Sequence, residues 1–191
     1  GSVSISTIGN ETVAQLNQAT LSGNTGVTIK GTDSSEINSL AGAGAFSGGT
    51  SIGGSIAVNT TTNSASATVT GSTLNNINQL ILGADNSSII RSLSVSGSGG
   101  ADFAFAGSSS ANTIHNQTKA GIVSSSITNP AAAVDVTALN TGRIEALSGG
   151  AAVSGSVGVG LAVSVNRIGN TTEAYVDGSA VGTKYDIGNL K

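Results

Sequence analysis

The sequence contains no cysteine, methionine or tryptophan, and only one proline and one histidine among 191 residues. The absence of cysteine excludes disulfide bonds and thiolate zinc sites. Aromatic residues make up 3% of the chain and charged residues 9%, so large side chains for a globular core are scarce. The seven basic residues are scattered and the formal net charge is −3, which argues against a nucleic-acid partner.

No run of about 20 strongly apolar residues occurs, so we expect neither a transmembrane helix nor insertion of this segment into a membrane. The opening residues GSVSIS have neither the charged region nor the apolar region of a secretory signal peptide. We therefore expect a fragment of a longer chain. Glycine accounts for 28 residues, roughly double the usual share of ~7%. Regularly spaced Ile, Leu and Val nevertheless argue against intrinsic disorder.

A short motif recurs along the chain, as STIGN at 6–10, NTTTN at 59–63, NTIHN at 112–116 and NRIGN at 166–170. The intervals between its last residues are 63 − 10 = 53, 116 − 63 = 53 and 170 − 116 = 54. This spacing predicts repeat units at approximately 6–58, 59–111, 112–165 and 166–191, the last one partial. The aligned columns are Ala14/Ala67/Ala120/Ala174, Leu16/Val69/Ile122/Val176, Leu21/Leu74/Ile127/Val181, Val27/Leu80/Val134/Ile187, Ile37/Ile90/Ile144 and Leu40/Leu93/Leu147. The only length change lies between Ile127 and Val134, next to Pro130.

Strand-like alternation is clearest in VGVGLAVSV, residues 157–165, where large apolar residues alternate with small ones. Short strands, Asx turns and a fixed period predict an all-β parallel β-solenoid, in which the large apolar columns are buried inside. We interpret the period as about three coils of ~18 residues, or two longer ones, which predicts a rod of roughly 50 Å. Stacked Asn columns are expected to form side-chain hydrogen-bond ladders along it.

His115 could be a metal ligand or a catalytic base, but its column contains Gly9, Thr62 and Gly169. A position that accepts Gly, Thr and His is typical of a solvent-facing turn, and no neighbouring acid would complete a metal site. We expect no catalytic, metal-binding or cofactor-binding residues. The weak candidates for surface contact are the outward turns, and they comprise Asn59, Asn63, Asn112, His115, Asn116, Asn166 and Asn170.

Some β-solenoids are polysaccharide lyases or hydrolases that use paired carboxylates. Asp33 and Glu36 are the best local pair, although Asp33 shares its turn column with Asn86 and Asn140. An alternative function is therefore a polysaccharide lyase or hydrolase, and another is part of a secreted cytotoxin. Five N-x-S/T sequons also occur, which we attribute to Asn-rich turns beside Ser/Thr-rich strands; they lie at Asn10, Asn59, Asn86, Asn116 and Asn170.

Residues 37–74, INSLAGAGAFSGGTSIGGSIAVNTTTNSASATVTGSTL, and their echo at 144–181 resemble repeats of large bacterial filamentous surface adhesins. The fusobacterial leukotoxin-type adhesins and, more loosely, autotransporter passengers are similar to this pattern over essentially the whole chain. The second unit departs from it, with Phe103 and Phe105 on the strand. The resemblance implies a right-handed β-helix delivered by type V secretion to the cell surface or the extracellular space, where it takes part in adhesion and virulence. A host cell-surface glycan or an extracellular matrix protein is the expected partner.

Overall fold

The computed structural model of the chain describes residues 1–129, 131–179 and 187–190, and these form parallel β-strands joined by short corners. The expectation of an all-β parallel architecture is confirmed. The strands are β1 Ser2–Ile8, β2 Glu11–Asn17, β3 Thr20–Ser22, β4 Gly26–Ser47, β5 Thr50–Thr61, β6 Ser64–Thr70, β7 Thr73–Asn75, β8 Gln79–Gly100, β9 Phe103–Ile114, β10 Gln117–Val123, β11 Ser126–Ile127, β12 Ala133–Ser154, β13 Val157–Ile168, β14 Thr171–Asp177 and β15 Ile187–Leu190.

From β1 to β14 every fourth strand along the described chain lies in the same sheet, whereas β15 pairs with β12, and all the pairings are parallel. Sheet A contains β1, β5, β9 and β13, sheet B β2, β6, β10 and β14, sheet C β3, β7 and β11, and sheet D β4, β8, β12 and β15. Paired residues are 53 apart, as in Ser2 with Ser55, or 54 apart, as in Phe103 with Val157.

Neighbouring strands of a sheet are therefore about 53 residues apart along the chain, and we call the passage from one to the next a circuit. None of the described pairings has the spacing of ~18 residues that the shorter predicted coils require. One 22-residue strand in each circuit, such as β4, replaces several expected short strands and turns. At about 4.8 Å between strands, the three spacings of a four-strand stack span roughly 14 Å, much less than the length of the predicted rod.

The sheet registers place the aligned columns side by side. Ala67 pairs with both Ala14 and Ala120, and Leu74 pairs with both Leu21 and Ile127. The offset changes from 53 to 54 between β11 and β12, which is the position of the predicted length change. Pro130 and Val181 lie outside the described residues.

One end of the cross-section has an aliphatic core between sheets B, C and the first part of sheet D. The residues buried there include Val69, Leu74, Leu80 and Leu82, and partly buried Leu16 and Leu21 pack against them. Fully burying each such side chain contributes about 1.5–3 kcal/mol, so this region is the main hydrophobic source of stability. A smaller cluster of Ile37, Ile90 and Ile114 lies further along the interior.

The other end of the cross-section is a thin two-layer wall, in which sheet A faces the second part of the long sheet D strands. Small side chains fill the space between them, and Ser55 Oγ lies 3.0 Å from Ser94 Oγ. At Gly53 an added Cβ would come within 2.6 Å of the Gly97 carbonyl oxygen. The two layers are too close for larger side chains.

This close packing reverses the predicted direction of several side chains. In 157–165, Gly158 and Gly160 face inward, and an added Cβ at Gly160 would lie 2.4 Å from the Gly150 carbonyl oxygen. Val157, Leu161, Val163 and Val165 are exposed, and Val159 belongs to the same outward set. The Leu40/Leu93/Leu147 column, expected inside, is also exposed.

A left-handed backbone occurs at the turn that follows the sheet B strands. Its residues are Gln18 (φ 49°), Gly71 (φ 56°), Ser124 (φ 47°) and Gly178 (φ 55°). Among the asparagines of the described chain only Asn76 has a positive φ, so the repeated Asn columns serve another purpose than relieving turn strain.

Within the described ranges there is no helix with the length and apolar character to span a membrane.

Candidate functional site

The first Asn column runs along the stack on the inside of sheet A. Asn59 Nδ2 donates a hydrogen bond to Asn112 Oδ1 at 2.8 Å, and Asn112 Nδ2 donates to Asn166 Oδ1 at 2.8 Å. This amide ladder satisfies polar groups that the strand alternation directs into the interior. The prediction that Asn columns form ladders is confirmed.

The second Asn column, which includes Asn63, Asn116 and Asn170, lies at the corner between sheets A and B. Its side chains join neighbouring circuits in two ways. Its side-chain oxygens accept from the backbone of the preceding circuit, as in Asn63 N to Asn116 Oδ1 at 3.0 Å. Its side-chain nitrogens cross the interior to sheet D, as in Asn116 Nδ2 to Asn86 Oδ1 at 2.9 Å. Equivalent bonds run from Asn63 Nδ2 to Asp33 Oδ1 and from Asn170 Nδ2 to Asn140 Oδ1, both at 2.8 Å.

These contacts contradict the expectation that the Asn motifs are surface turns available to a partner. Only two residues separate β5 from β6, so most of each motif belongs to a strand whose alternate residues face inward. Asn170 is partly buried, and Asn166, on the last sheet A strand, is exposed while keeping its bond to Asn112. The fully enclosed candidates are Asn59, Asn63, Asn112 and Asn116.

His115 is exposed at the corner, as expected for a solvent-facing turn. Its backbone nitrogen donates to the Thr61 carbonyl oxygen at 2.9 Å, which continues the parallel pairing through the corner. The residue thus has a backbone role in the stack, while its side chain points away from the interior.

Asp33 and Glu36 do not form a carboxylate pair. Asp33 is buried, where it accepts the bond from Asn63, whereas Glu36 is on the outer side of the same strand. Their column does not form a turn either, because Asp33, Asn86 and Asn140 lie inside the long strands β4, β8 and β12. An odd spacing along a strand puts side chains on opposite faces, so these two acids cannot act together on one substrate.

The outer side of sheet D carries an ionic ladder that sequence reasoning did not find. Arg91 forms ion pairs with Glu36 and, at 3.0 Å, with Glu145, and Glu145 also pairs with Arg143. These groups are partly exposed, so each pair contributes at most about 1 kcal/mol. Opposite charges in one repeat column, Arg91 beside Glu145, were the signal that could have revealed it.

A shallow groove lies beside this ladder, with a volume of about 570 Å³. Its walls combine the exposed leucine column Leu40/Leu93/Leu147 with Arg91, Glu145 and Asn38. The groove therefore offers apolar contact area together with a fixed cation and a carboxylate, a combination that suits ligand recognition. We call it the sheet D groove.

Among the residues that the structure describes, no group of three or more His, Cys, Asp or Glu side chains could hold a metal ion. Comparison with protein-family models, curated proteins and solved structures finds no match to this chain.

Proposed function

We propose that this chain is a structural and adhesive segment of a bacterial surface or secreted adhesin. The observation that carries the proposal is the pair of Asn columns, whose side-chain bonds follow the stacking axis from one circuit to the next. Such bonds supplement the parallel backbone pairing and resist both separation and shear of neighbouring circuits. A stack held in this way is suited to act as a stiff, load-bearing spacer.

We infer that the stack is a right-handed β-helix in which one repeat of about 53 residues makes one turn. The 53- and 54-residue registers of the sheets support the repeat length. The handedness is supported by a general rule, since connections between parallel strands of one sheet are right-handed in about 98% of cases. It also agrees with the adhesin resemblance of residues 37–74 and 144–181.

Display at the bacterial surface, or release from it by type V secretion, is the location that we propose. Two sequence features support it: the repeat resemblance, and the absence of cysteine, which suits passage through an outer-membrane pore in an unfolded state. The partner that we propose is a host glycan or an extracellular matrix protein.

The sheet D groove is the surface that we assign to this contact. The buried Asn motifs are not accessible, whereas Leu40 and Leu147 are 69% and 65% exposed beside the Arg91 guanidinium. Arg91 is already oriented by Glu36 and Glu145, so a polar ligand would meet a preorganised cation. The leucines would contact the apolar face of a sugar ring or a peptide side chain.

The test is binding of the chain to arrays of glycans and matrix proteins at low and physiological salt. We expect saturable binding to one class, lost in Arg91→Ala and retained in Lys119→Ala. Lys119 is a matched control, since it forms a similar ion pair with Glu173 at 3.3 Å on sheet B. Equal loss in both variants would contradict the assignment to the groove, and absence of any binding would restrict the chain to a spacer.

A further inference from the structure

The outer side of sheet A is an exposed apolar surface. Alternate residues of β1, β5, β9 and β13 point outward, and we call this surface the sheet A face. Ile5 and Ile52 are 72% and 68% exposed there. The other exposed aliphatic residues on it include Val3, Ile56, Leu161 and Val163.

Charge is almost absent from the sheet A face. The outward positions of β1, β5 and β9 hold no charged residue, and β13 adds only Arg167 near its end. Sheet B differs, because its outer positions include Glu11, Lys119 and Glu173. A neutral face can meet a copy of itself without repulsion between like charges.

The dimensions of the sheet A face match those of a stable dimer interface. Four strands at about 4.8 Å spacing and up to 12 residues at about 3.3 Å each cover roughly 700 Å². Two copies would bury about 1,400 Å² in total, within the range of specific protein–protein interfaces.

A shallow groove of about 490 Å³ crosses the sheet A face. Its floor is the column of Gly54 and Gly107, and Leu161 occupies the same column on β13. Ile52, Ile56 and Phe105 line the groove. The face thus has both a hollow and, at one end of it, a projecting leucine.

We propose that the chain forms a two-fold dimer in which the sheet A faces of two copies pack together. The axis lies in the interface, parallel to the strands and between β5 and β9. It places the β13 of each copy over the β1 of the other, so that Leu161 packs into the opposite glycine groove on its β1 side. An axis across the strands is disfavoured, because it would set β13 against the β13 of the other copy, and Leu161 would then not reach the Gly54 and Gly107 column of that copy. This dimer is independent of the proposed adhesive role, because that role is assigned to the sheet D groove on the other side of the stack.

The first test is analytical ultracentrifugation of the chain at concentrations between about 1 and 100 µM. This range covers the weaker dissociation constants of interfaces of this size. We expect a species of twice the 18.3 kDa chain mass. Ile56→Lys places two like charges in the apolar interface and should weaken association at least about 100-fold. Thr68→Lys, on the outer side of sheet B, is the matched control and should dimerise normally.

A monomer at every concentration would overturn the proposal, and so would an Ile56→Lys protein that associates as well as Thr68→Lys. Thermal unfolding of each variant, followed by circular dichroism, shows whether the variant is still folded. Loss of the dimer can then be distinguished from loss of the fold.

The second test determines the axis and uses the absence of cysteine from the natural sequence. Val3→Cys and Val163→Cys proteins are mixed with a short bismaleimide that spans the ~10 Å between packed sheets. Cross-linking should require both proteins, since β1 of one copy faces β13 of the other. Cross-linking of Val3→Cys with itself would refute this axis, and no cross-linking in the mixture would refute the packed faces.

Discussion

Asn116 Nδ2 donates a hydrogen bond to Asn86 Oδ1 at 2.9 Å across the interior, while Asn116 Oδ1 accepts one from the Asn63 backbone at 3.0 Å. One side chain therefore joins a corner, the facing long strand and the preceding circuit. Because all of these atoms are buried, loss of the side chain would leave a donor and an acceptor without partners.

Asn116→Ala should lower the free energy of unfolding by about 3 kcal/mol, since each unsatisfied buried group costs about 1–3 kcal/mol. Urea unfolding followed by circular dichroism provides the measurement. His115→Ala is the adjacent control and should change stability by less than about 0.5 kcal/mol, because that side chain is exposed. Similar stabilities of the two variants would show that the corner bonds do not hold the stack together.

The Asn59 ladder ends with an unused acceptor, which suggests a stabilising substitution. Asn59 Oδ1 is buried without a hydrogen-bond partner, and the residue paired with Asn59 in the first circuit is Ser6. Ser6→Asn should extend the ladder by one amide and raise stability by about 1 kcal/mol. Ser6→Ala separates this effect from a change in strand propensity; an Asn variant no more stable than the Ala variant would mean that the ladder does not extend.

The narrow wall between sheets A and D predicts a sharp difference between two glycines. An added Cβ at Gly53 would lie 2.6 Å from the Gly97 carbonyl oxygen, whereas one at Gly97 would meet no atom within 4 Å. Gly53→Ala should cost about 2 kcal/mol through forced separation of the layers, and Gly97→Ala about 0.5 kcal/mol or less. Melting temperatures of the two proteins compare them directly, and equal values would argue against a tightly packed wall.

The fold also predicts which Asn sequons a glycosylating enzyme can reach. Asn59, Asn86 and Asn116 are buried, whereas Asn10 is exposed. Treatment of the folded chain with an oligosaccharyltransferase should leave those three asparagines unmodified. Unfolding the chain in urea beforehand should allow the enzyme to reach them, as it reaches sequons in a flexible peptide. Mass spectrometry of the digested chain reads out each site; modification of Asn116 in the folded protein would contradict its burial.

Several features of the architecture could be predicted from residue types and spacing. The columns such as Ala14/Ala67/Ala120 followed from self-similarity, because identical environments in successive circuits select similar side chains. The Asn ladders followed from the same columns, since stacked amides can satisfy one another. His115 was interpreted correctly as exposed, because its column tolerates glycine and threonine.

The number of coils per repeat could not be predicted, because a strand of 22 residues and several short strands share the same alternation. The accessibility of the Asn motifs was misjudged for a related reason. Asparagine is common in turns, but residues 59–61 continue the strand and direct Asn59 inward. Propensity describes a residue's average preference, whereas the position of the corner depends on packing against the neighbouring circuits.

The sequence by itself determined the period of two along the strands, the period of 53 or 54 along the chain and hence which residues lie side by side. Only the tertiary structure decided which face of each strand is buried. Alternation in 157–165 divides the side chains into two sets but does not show which set is buried. The usual preference for burying large apolar side chains led to the wrong prediction. The choice depends on the distance to the opposite sheet. Where sheets A and D nearly touch, as at Gly53 beside the Gly97 carbonyl group, only small residues fit between them and the large aliphatic residues remain outside.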